Sequence, residues 1–548
     1  MKMVHQIRKY DISVFISISF CLVFSLVYAT FPTKMHFADG LSYAYHMEHF
    51  PISDAWRSHH LLWLPAMHIL YGAIHYFFPA LRAMPFLQFL NAILGGLSVY
   101  LLIRFVHSIT NNLPAGILAG AFFGFSWGML NWATDANIYI LVIALMLVVI
   151  NIITGNSFLS HKNALIATLI MIVITSVHQI GFFFSFVILA AILLRSPKET
   201  KIKTLIQCAL LYSSATFALY YGVYLLIRPT LAGIQKEGFM SWLTTYGHDK
   251  GYWTIFAVGF LPAQEMFNRS LFSLFFKVQD DVKAFYDQFY NESYNILFIY
   301  ILFYLIILIS VFWELKQILI DKSISNRPVK ILLLTWFFPY FIFAHLFNAS
   351  AVFYKLFFLM PILIIWTIQV LEAPPRERRV WRFLSIAILV AVAGWNISTG
   401  LVPNSKPETN PFLRDALKIK PFVHKSDLII FARQERYLAS ITRYYTEANA
   451  AYILVNFRYA GSEFFSFEKA NEETLKYFLS KYNRIILSDD AYKSGYQKWY
   501  FSNHFFEPPH PVFLAVSKND LIHTGVRGKI FLLANILDKK GQQAGQTE

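Results

Sequence analysis

The sequence predicts a mainly α, polytopic membrane protein: a helical bundle of about eleven spans with a small α/β domain at its C-terminal end. Three observations carry this. Of the 548 residues, 56% are hydrophobic and only 14% charged, against about a quarter charged in soluble chains. The apolar residues fall in long blocks separated by short basic stretches, which is the pattern of spans and loops and not of one soluble core. From Pro403 onward the chain turns polar and mixed, with strand-like runs alternating with helix-like ones.

Windows of roughly 17–25 apolar residues lie at 11–31, 85–106, 113–131, 137–154, 163–179, 180–195, 204–227, 294–313, 331–348, 352–371 and 381–400. The first follows Lys2, Arg8 and Lys9; it is long and lacks a small-residue cleavage site, so it reads as an uncleaved span. The stretch 61–79 is also apolar, but His68, Tyr71, His75 and Tyr76 suit a helix lying in the membrane interface. With that helix on the surface, the basic residues Arg104, Lys162, Arg195 to Lys203, Lys316 to Lys330 and Arg376 to Arg382 all share the N-terminal side. Lys and Arg gather in cytoplasmic loops, so that side is cytoplasmic. The outer face then receives loop 32–60 with its interfacial helix, the turn around Asp135, the loop 228–293, and everything after about residue 400.

The expected domains are thus a membrane domain over 1–400, with outer loops 32–84 and 228–293, and an extracytoplasmic α/β domain over 401–548. Loop 228–293 is too long for a tight connection and carries amphipathic stretches at Trp242–Tyr252 and Leu271–Tyr290. In the tail, strand-like runs occur at Asp427–Phe431, Ala451–Phe457 and Arg484–Leu487, with helix-like segments at Arg433–Glu447 and Phe467–Tyr482. The net charge of +15 fits the topology. The basic residues form no single stripe, which argues against nucleic acid. Cys21 and Cys208, the two cysteines, sit in apolar blocks and build neither a disulfide framework nor a metal cage.

Several polar residues stand out at the outer face. Asp39, in Phe37-Ala38-Asp39-Gly40-Leu41-Ser42-Tyr43-Ala44, follows the first span. A carboxylate there can take a proton from an acceptor hydroxyl, or cap the segment 40–50, and the two roles are compatible. Asp135 is one of very few acids between residues 55 and 198, and it can equally cap the span that begins at Asn137. His59 and His60, near Arg57, open the interfacial helix, and His178 ends a span. Adjacent histidines diverge on a helix and no cysteine joins them, which disfavours zinc. Lys355 in a short outer turn, Arg228 at a span end and Arg57 can snorkel to the interface or bind a lipid phosphate at that depth.

These residues resemble the glycosyltransferase-C superfamily, in particular its protein O-mannosyltransferase and aminoarabinose-transferase-like branches. Asp39 with Tyr43-Ala44 resembles the first-loop signature. His59-His60-Leu61-Leu62-Trp63-Leu64-Pro65 is similar to the His-Pro-rich start of the family's juxtamembrane helix. Phe125–Tyr139 resembles the Phe-Ser…Trp…Ala…Glu-Val-Tyr signature of a related group, and His178 falls where that group often has His. Tyr354-Lys355 with Leu359-Met360-Pro361 is similar to the late Tyr…Leu-Pro segment. The likeness covers roughly residues 10–400. There are departures: Gly40 stands where many relatives have a second acid, His60 or Leu61 where Pro is expected, and Asn137 where a Glu precedes the Tyr, with Asp135 two positions earlier.

The resemblance implies an inverting membrane glycosyltransferase that moves a sugar from a polyprenyl phosphate to an acceptor hydroxyl of a protein or glycolipid. It implies Asp39 as general base and Asp135 as a positioning carboxylate. Lys355, Arg228 and Arg57 would hold the phosphate, and His59, His60, His178, Tyr43 and Tyr139 would line the substrate pocket. No certain cofactor follows, and a divalent metal stays open. The expected setting is the lipid bilayer of a bacterial inner membrane, with the active site facing outward. The rivals are a transporter, which would place charges or broken helices at mid-membrane depth in repeated halves, and an O-antigen ligase or polymerase with an Arg-rich outer loop. Loop 228–293 holds only Arg228 and Arg269. A scaffold with no catalytic role would leave Asp39 free to change.

Overall fold

The computed structural model describes residues 2–231, 238–244, 253, 259–278, 294–320, 327–431, 436–447, 449–452, 484–487, 521–524 and 528–532. The chain divides into two units. The first holds Met1–Phe37, Pro51–Arg228 and Glu237–Ser405; the second holds Ala38–Phe50, Pro229–Lys236 and Lys406–Glu548.

In chain order the helices of the first unit, with α2 (Ala38–His49) of the second between them, are α1 (Lys2–Thr30), α3 (Trp63–Phe77), α4 (Ala83–Thr110), α5 (Leu113–Phe125), α6 (Trp127–Ala133), α7 (Tyr139–Thr154), α8 (His161–Val177), α9 (Ser185–Arg195), α10 (Lys198–Ile227), α11 (Phe239–Leu243), α12 (Phe260–Ser273), α13 (Tyr294–Ile320), α14 (Arg327–Leu346), α15 (Val352–Glu372) and α16 (Pro375–Asn396). Among the described residues seven helices are long and apolar enough to cross a membrane, or eight if the bent pair α5–α6 is one crossing. The protein is an integral, multi-pass membrane protein. Three other expected spans appear as shorter apolar helices, Tyr139–Thr154, His161–Val177 and Gln179–Arg195. They lie within two residues of the expected windows, and polar residues mark their ends. Regular helix starts at Tyr139, after Asp135 and Asn137, and the run through His178 is broken by a 3-10 turn at Gln179–Phe184. At ~1.5 Å per residue such helices reach roughly 24 Å, short of the ~30 Å hydrocarbon core. Helix α3 has 15 residues; it buries Trp63, Leu64, Met67 and Tyr71 and exposes Ile69, Tyr76 and Phe77. That distribution suits a helix lying in an interface.

Burial separates core from rim. In α15, 78% of the most apolar window is buried, against 22% in α1, α10 and α13. The outer helices expose Phe15, Leu26, Leu226 and Ile309, as lipid-facing surfaces do. Without a hydrophobic drive between helices in lipid, close approach has to come from small residues. A Cβ on Gly96 of α4 would fall 2.4 Å from the Cys21 carbonyl oxygen of α1, and one on Gly116 of α5 would fall 2.7 Å from the Ile103 carbonyl oxygen of α4.

The bent pair breaks regular helix inside an apolar run. Helices α5 and α6 meet at Ser126 at 63°. The break frees backbone groups that lipid cannot satisfy. The Trp127 and Gly128 amides donate to the carbonyls of Phe275 (3.2 Å) and Leu274 (2.8 Å). The Asn396 side chain donates to the Phe125 carbonyl at 2.9 Å and to the Phe275 carbonyl at 2.6 Å. Ser126 caps α6 through the Met129 amide.

The second unit is built from α2, α17 (Pro411–Ile419), α18 (Arg436–Thr446) and five described strands. The strands are β1 (Asp427–Phe431), β2 (Asn449–Tyr452), β3 (Arg484–Leu487), β4 (Leu521–Thr524) and β5 (Gly528–Leu532), in the order β2-β1-β3-β5-β4. β1 pairs in parallel with β2 and β3, with Leu428 opposite Asn449 and Asp427 opposite Arg484; β5 runs antiparallel to β3 and β4. The strand expected from Ala451 begins earlier, at Asn449. Its residues 453–457, the helix-like run Phe467–Tyr482 and most of the expected amphipathic stretches of loop 228–293 lie outside the described residues.

One ion network ties three spans together. Lys330 of α14 lies 2.8 Å from Glu314 of α13 and 2.7 Å from Glu372 of α15, and the Lys330 and Glu314 side chains are 1% and 2% exposed. Removing one partner leaves a buried charge unpaired, which costs about 3–5 kcal/mol. Lys330→Met is therefore expected to lower the unfolding temperature in detergent sharply, and adding Glu314→Gln to recover most of the loss; an unchanged melt for Lys330→Met would show that the network holds nothing.

Candidate active site

Two linked features organise the polar residues of the first unit. The first is the turn after α6. It is pinned by carboxamides that α4 carries into an apolar surrounding. Gln88 donates to the carbonyls of Thr33 (2.8 Å) and Thr134 (3.1 Å). One turn on, Asn91 donates to the carbonyls of Asp135 (2.7 Å) and Asn137 (2.8 Å). The Thr33 amide donates to the Thr134 carbonyl at 3.1 Å, which joins this turn to the segment that leaves α1.

Asp135 completes the joint. It is 3% exposed. Its Oδ2 accepts the Phe37 amide proton at 2.9 Å, and its Oδ1 lies 3.4 Å from Nδ1 of the fully buried His36. Its carboxylate therefore faces its own chain. The expected helix cap is not formed, because α7 starts only at Tyr139 and its N-cap, Ile138, makes no side-chain bond. The carboxylate instead holds the Phe37 amide, in the segment that leaves α1.

The second feature is a run of rings. His59 and His60 lie 3.9 Å apart, and His60 meets His178 edge-on at 4.6 Å. His178 lies 5.4 Å from Tyr139, which stacks on Phe353 at 4.7 Å. Phe353 touches Trp132 and Phe37, which returns the run to the Asp135 joint. Local bonds set the imidazoles: the Leu62 amide donates to the Ser176 carbonyl, and Gln179 donates to the Ser58 carbonyl at 3.1 Å. Nδ1 of His178 accepts the Ile180 amide proton at 3.2 Å, so its own proton rides on Nε2. Burial lowers the His178 pKa to about 3. Burial, and then the Arg57 charge, hold His59 well below the ordinary histidine value. Burial first, then His59, His178 and Arg57, do the same for His60. The three rings are neutral near pH 7, and the Arg57 charge acts on two of them.

The other expected residues fall elsewhere. Asp39 is exposed in the first turn of α2, and Tyr43, one turn on, is buried; both belong to the second unit. Asp39 is inside the helix, not its cap, since α2 starts at Ala38, and a carboxylate in the first turn suits the helix dipole. Lys355 does not snorkel. It is fully buried, donates to the carbonyls of Ala349 (2.8 Å) and Ala351 (3.1 Å), and sits 4.7 Å over the Phe267 ring. Arg228 is exposed at the end of α10. His36, Gln88 and Asn91 were not anticipated, although two carboxamides three residues apart in an apolar span are a readable signal. Neither was Lys277, buried over the Trp127 ring at 4.9 Å with its ammonium on Asn404 at 3.0 Å. Among the described residues no group of three or more His, Cys, Asp or Glu side chains could hold a metal ion.

The histidines carry a pH signature. His178 has a folded pKa far below its unfolded value of about 6.5, so below that pH the unfolded chain binds a proton that the fold excludes. Its contribution is fully present above about pH 6.5 and is lost toward pH 3, at about 1.4 kcal/mol per pH unit. The melting temperature in detergent should fall from pH 7 to pH 5, and His178→Gln should flatten the slope; parallel slopes for both proteins would contradict the burial of a neutral ring.

No family model matches the sequence, and no curated protein matches it. Solved structures do. ArnT from Cupriavidus metallidurans in the apo state superposes with a TM-score of 0.51 at 10% identity, covering 94% of this chain and 98% of that one. ArnT from the same organism bound to undecaprenyl phosphate gives 0.49 at 11% identity, over 96% and 98%. The Archaeoglobus fulgidus oligosaccharyltransferase in the apo form gives 0.49 at 12%, over 88% and 70%. At such identities the likeness is one of fold: the chain shares the fold of ArnT.

Proposed function

We propose that the protein is a membrane glycosyltransferase that moves a sugar from a polyprenyl-phosphate donor to a hydroxyl of a protein or glycolipid acceptor, on the extracytoplasmic face of a bacterial inner membrane. The observation that carries this reading is the fold shared with ArnT over nearly the whole of both chains, together with Asp39 in the first turn of the helix that follows the first span. ArnT has itself been solved with undecaprenyl phosphate bound.

In this reading the Asp39 carboxylate takes the proton of the acceptor hydroxyl. The oxygen attacks the anomeric carbon, the bond from that carbon to the phosphate oxygen breaks, and the polyprenyl phosphate leaves with the electron pair. One direct displacement inverts the anomeric centre and needs no covalent intermediate. The leaving phosphate gains charge, and cations stabilise it. Of the three cations assigned to it, Arg57 is supported best, because its charge already acts on His59 and His60. Lys355 is engaged with carbonyls of its own turn and Arg228 lies at the end of α10. His59, His60 and His178, kept neutral, and Tyr139 offer hydrogen bonds and ring faces to a sugar. Asp135 is a positioning carboxylate, and Tyr43 supports the helix that carries the base.

The test is transfer in membranes from radiolabelled undecaprenyl-phosphate sugars, offered as a panel. A positioned general base contributes roughly 100- to 10,000-fold. Asp39→Asn should lose about that much at normal expression and with retained binding of undecaprenyl phosphate; full transfer by Asp39→Asn would remove Asp39 from the chemistry. Asp135→Asn keeps an oxygen for the Phe37 amide but loses the charge facing His36, so a smaller loss, about 10- to 100-fold, is expected. A larger loss for Asp135→Asn than for Asp39→Asn would exchange the two roles.

A further inference from the structure

Helix α2 has reason to be unstable by itself. It has 12 residues, and Gly40 lies in its first turn. Isolated helices shorter than about 12–15 residues are marginal in water. Its order therefore depends on what it packs against. Leu41, Ala44 and Met47, spaced by three, are buried along one side. Its C-terminal half meets α18. The Tyr444 hydroxyl donates to Oε1 of Glu48 at 3.0 Å, and Tyr444 is itself buried. The Arg443 guanidinium lies 4.1 Å above the Tyr45 ring and 5.9 Å from the Phe50 ring. Tyr45 in turn packs on His49 at 4.3 Å, and His46 stacks on Phe50 at 5.1 Å. Helix α18 is the crossover between the parallel strands β1 and β2, and it buries Ala439, Ile441 and Thr442.

We infer that α18 is a positioning element for Asp39, and that Arg443 and Tyr444 are the residues through which it acts. The inference rests on the reading of Asp39 as the general base. A helix is a stiff rod, so fixing Tyr45 and Glu48 fixes the first turn, roughly 14 Å away along the axis for the nine residues from Asp39 to Glu48. A base must stand within hydrogen-bond reach of the proton it takes, and a displacement of about 1 Å at a reacting group costs about 100-fold. The C-terminal segment thereby contributes to the chemical step without touching substrate. Gripping the helix by a ring face and a carboxylate, both several residues from Asp39, leaves Asp39 itself exposed for an acceptor.

The experiment uses the full chain in detergent and compares wild type, Arg443→Ala/Tyr444→Phe, Arg443→Lys and Asp39→Asn. Hydrogen exchange of amides 41–49 needs no substrate. It should speed up about tenfold or more in the double variant and stay near wild type in Arg443→Lys, which keeps a cation over Tyr45, while amides of Val352–Glu372 stay protected in every variant. With the undecaprenyl-phosphate sugar that the wild type uses, kcat of the double variant should fall about 10- to 100-fold with an unchanged donor KM. Unchanged exchange in α2 would overturn the grip. Faster exchange with unchanged kcat would overturn the positioning role. Full turnover by Asp39→Asn would fail the base assignment itself, and the exchange comparison would still report separately on the grip.

Discussion

The backbone of one bent helix pair constrains much of the bundle. Between Phe125 and Gly128 the chain leaves helical geometry, and in lipid no water takes over the bonds that are lost. Asn396 and the carbonyls of Leu274 and Phe275 take them over instead. The same problem returns a few residues on, where the turn at Thr134–Asn137 has no ladder of its own and Gln88 and Asn91 meet its carbonyls. Each of these carboxamides is expensive in an apolar setting, and each engages its amide protons on backbone carbonyls. Together they place the Asp135 turn against the segment that leaves α1, and the ring run through Trp132, Phe353 and Tyr139 follows from that placement.

Burial then divides the titratable groups by role. Asp135 is consumed in holding Phe37 and facing His36. Lys355 is consumed in closing its own turn. The histidines are too enclosed to carry charge. Among the described residues of the first unit, fewer ionisable groups carry an exposed charge than the sequence suggests. Such economy is expected where each unpaired charge at membrane depth is costly.

The legibility of the molecule follows from the range of the forces involved. Spans were readable because hydrophobicity summed over twenty residues is a local property. The helices at Tyr139, His161 and Gln179 were readable in the same way, at 137–154, 163–179 and 180–195, and polar residues such as Asp135, Asn137 and His178 mark their ends. Asp135 and His178 were visible as rare polar residues near span ends. Their partners were not, because His36 is 99 residues from Asp135 and His60 is 118 from His178.

By itself the sequence determined a multi-pass helical membrane protein with a chemically distinct tail, and it marked Asp39, Asp135 and the histidines as unusual. Composition and periodicity suffice for that, because the bilayer acts on every residue in the same way. Only the tertiary structure decided which of the marked groups are spent on their own chain, that Glu48 and Tyr45 of α2 are held from Tyr444 and Arg443 some four hundred residues later, and that the imidazoles share one run of rings. Hydrogen bonds and ring contacts act over a few ångströms, and the distances that matter to them exist only after the chain has folded.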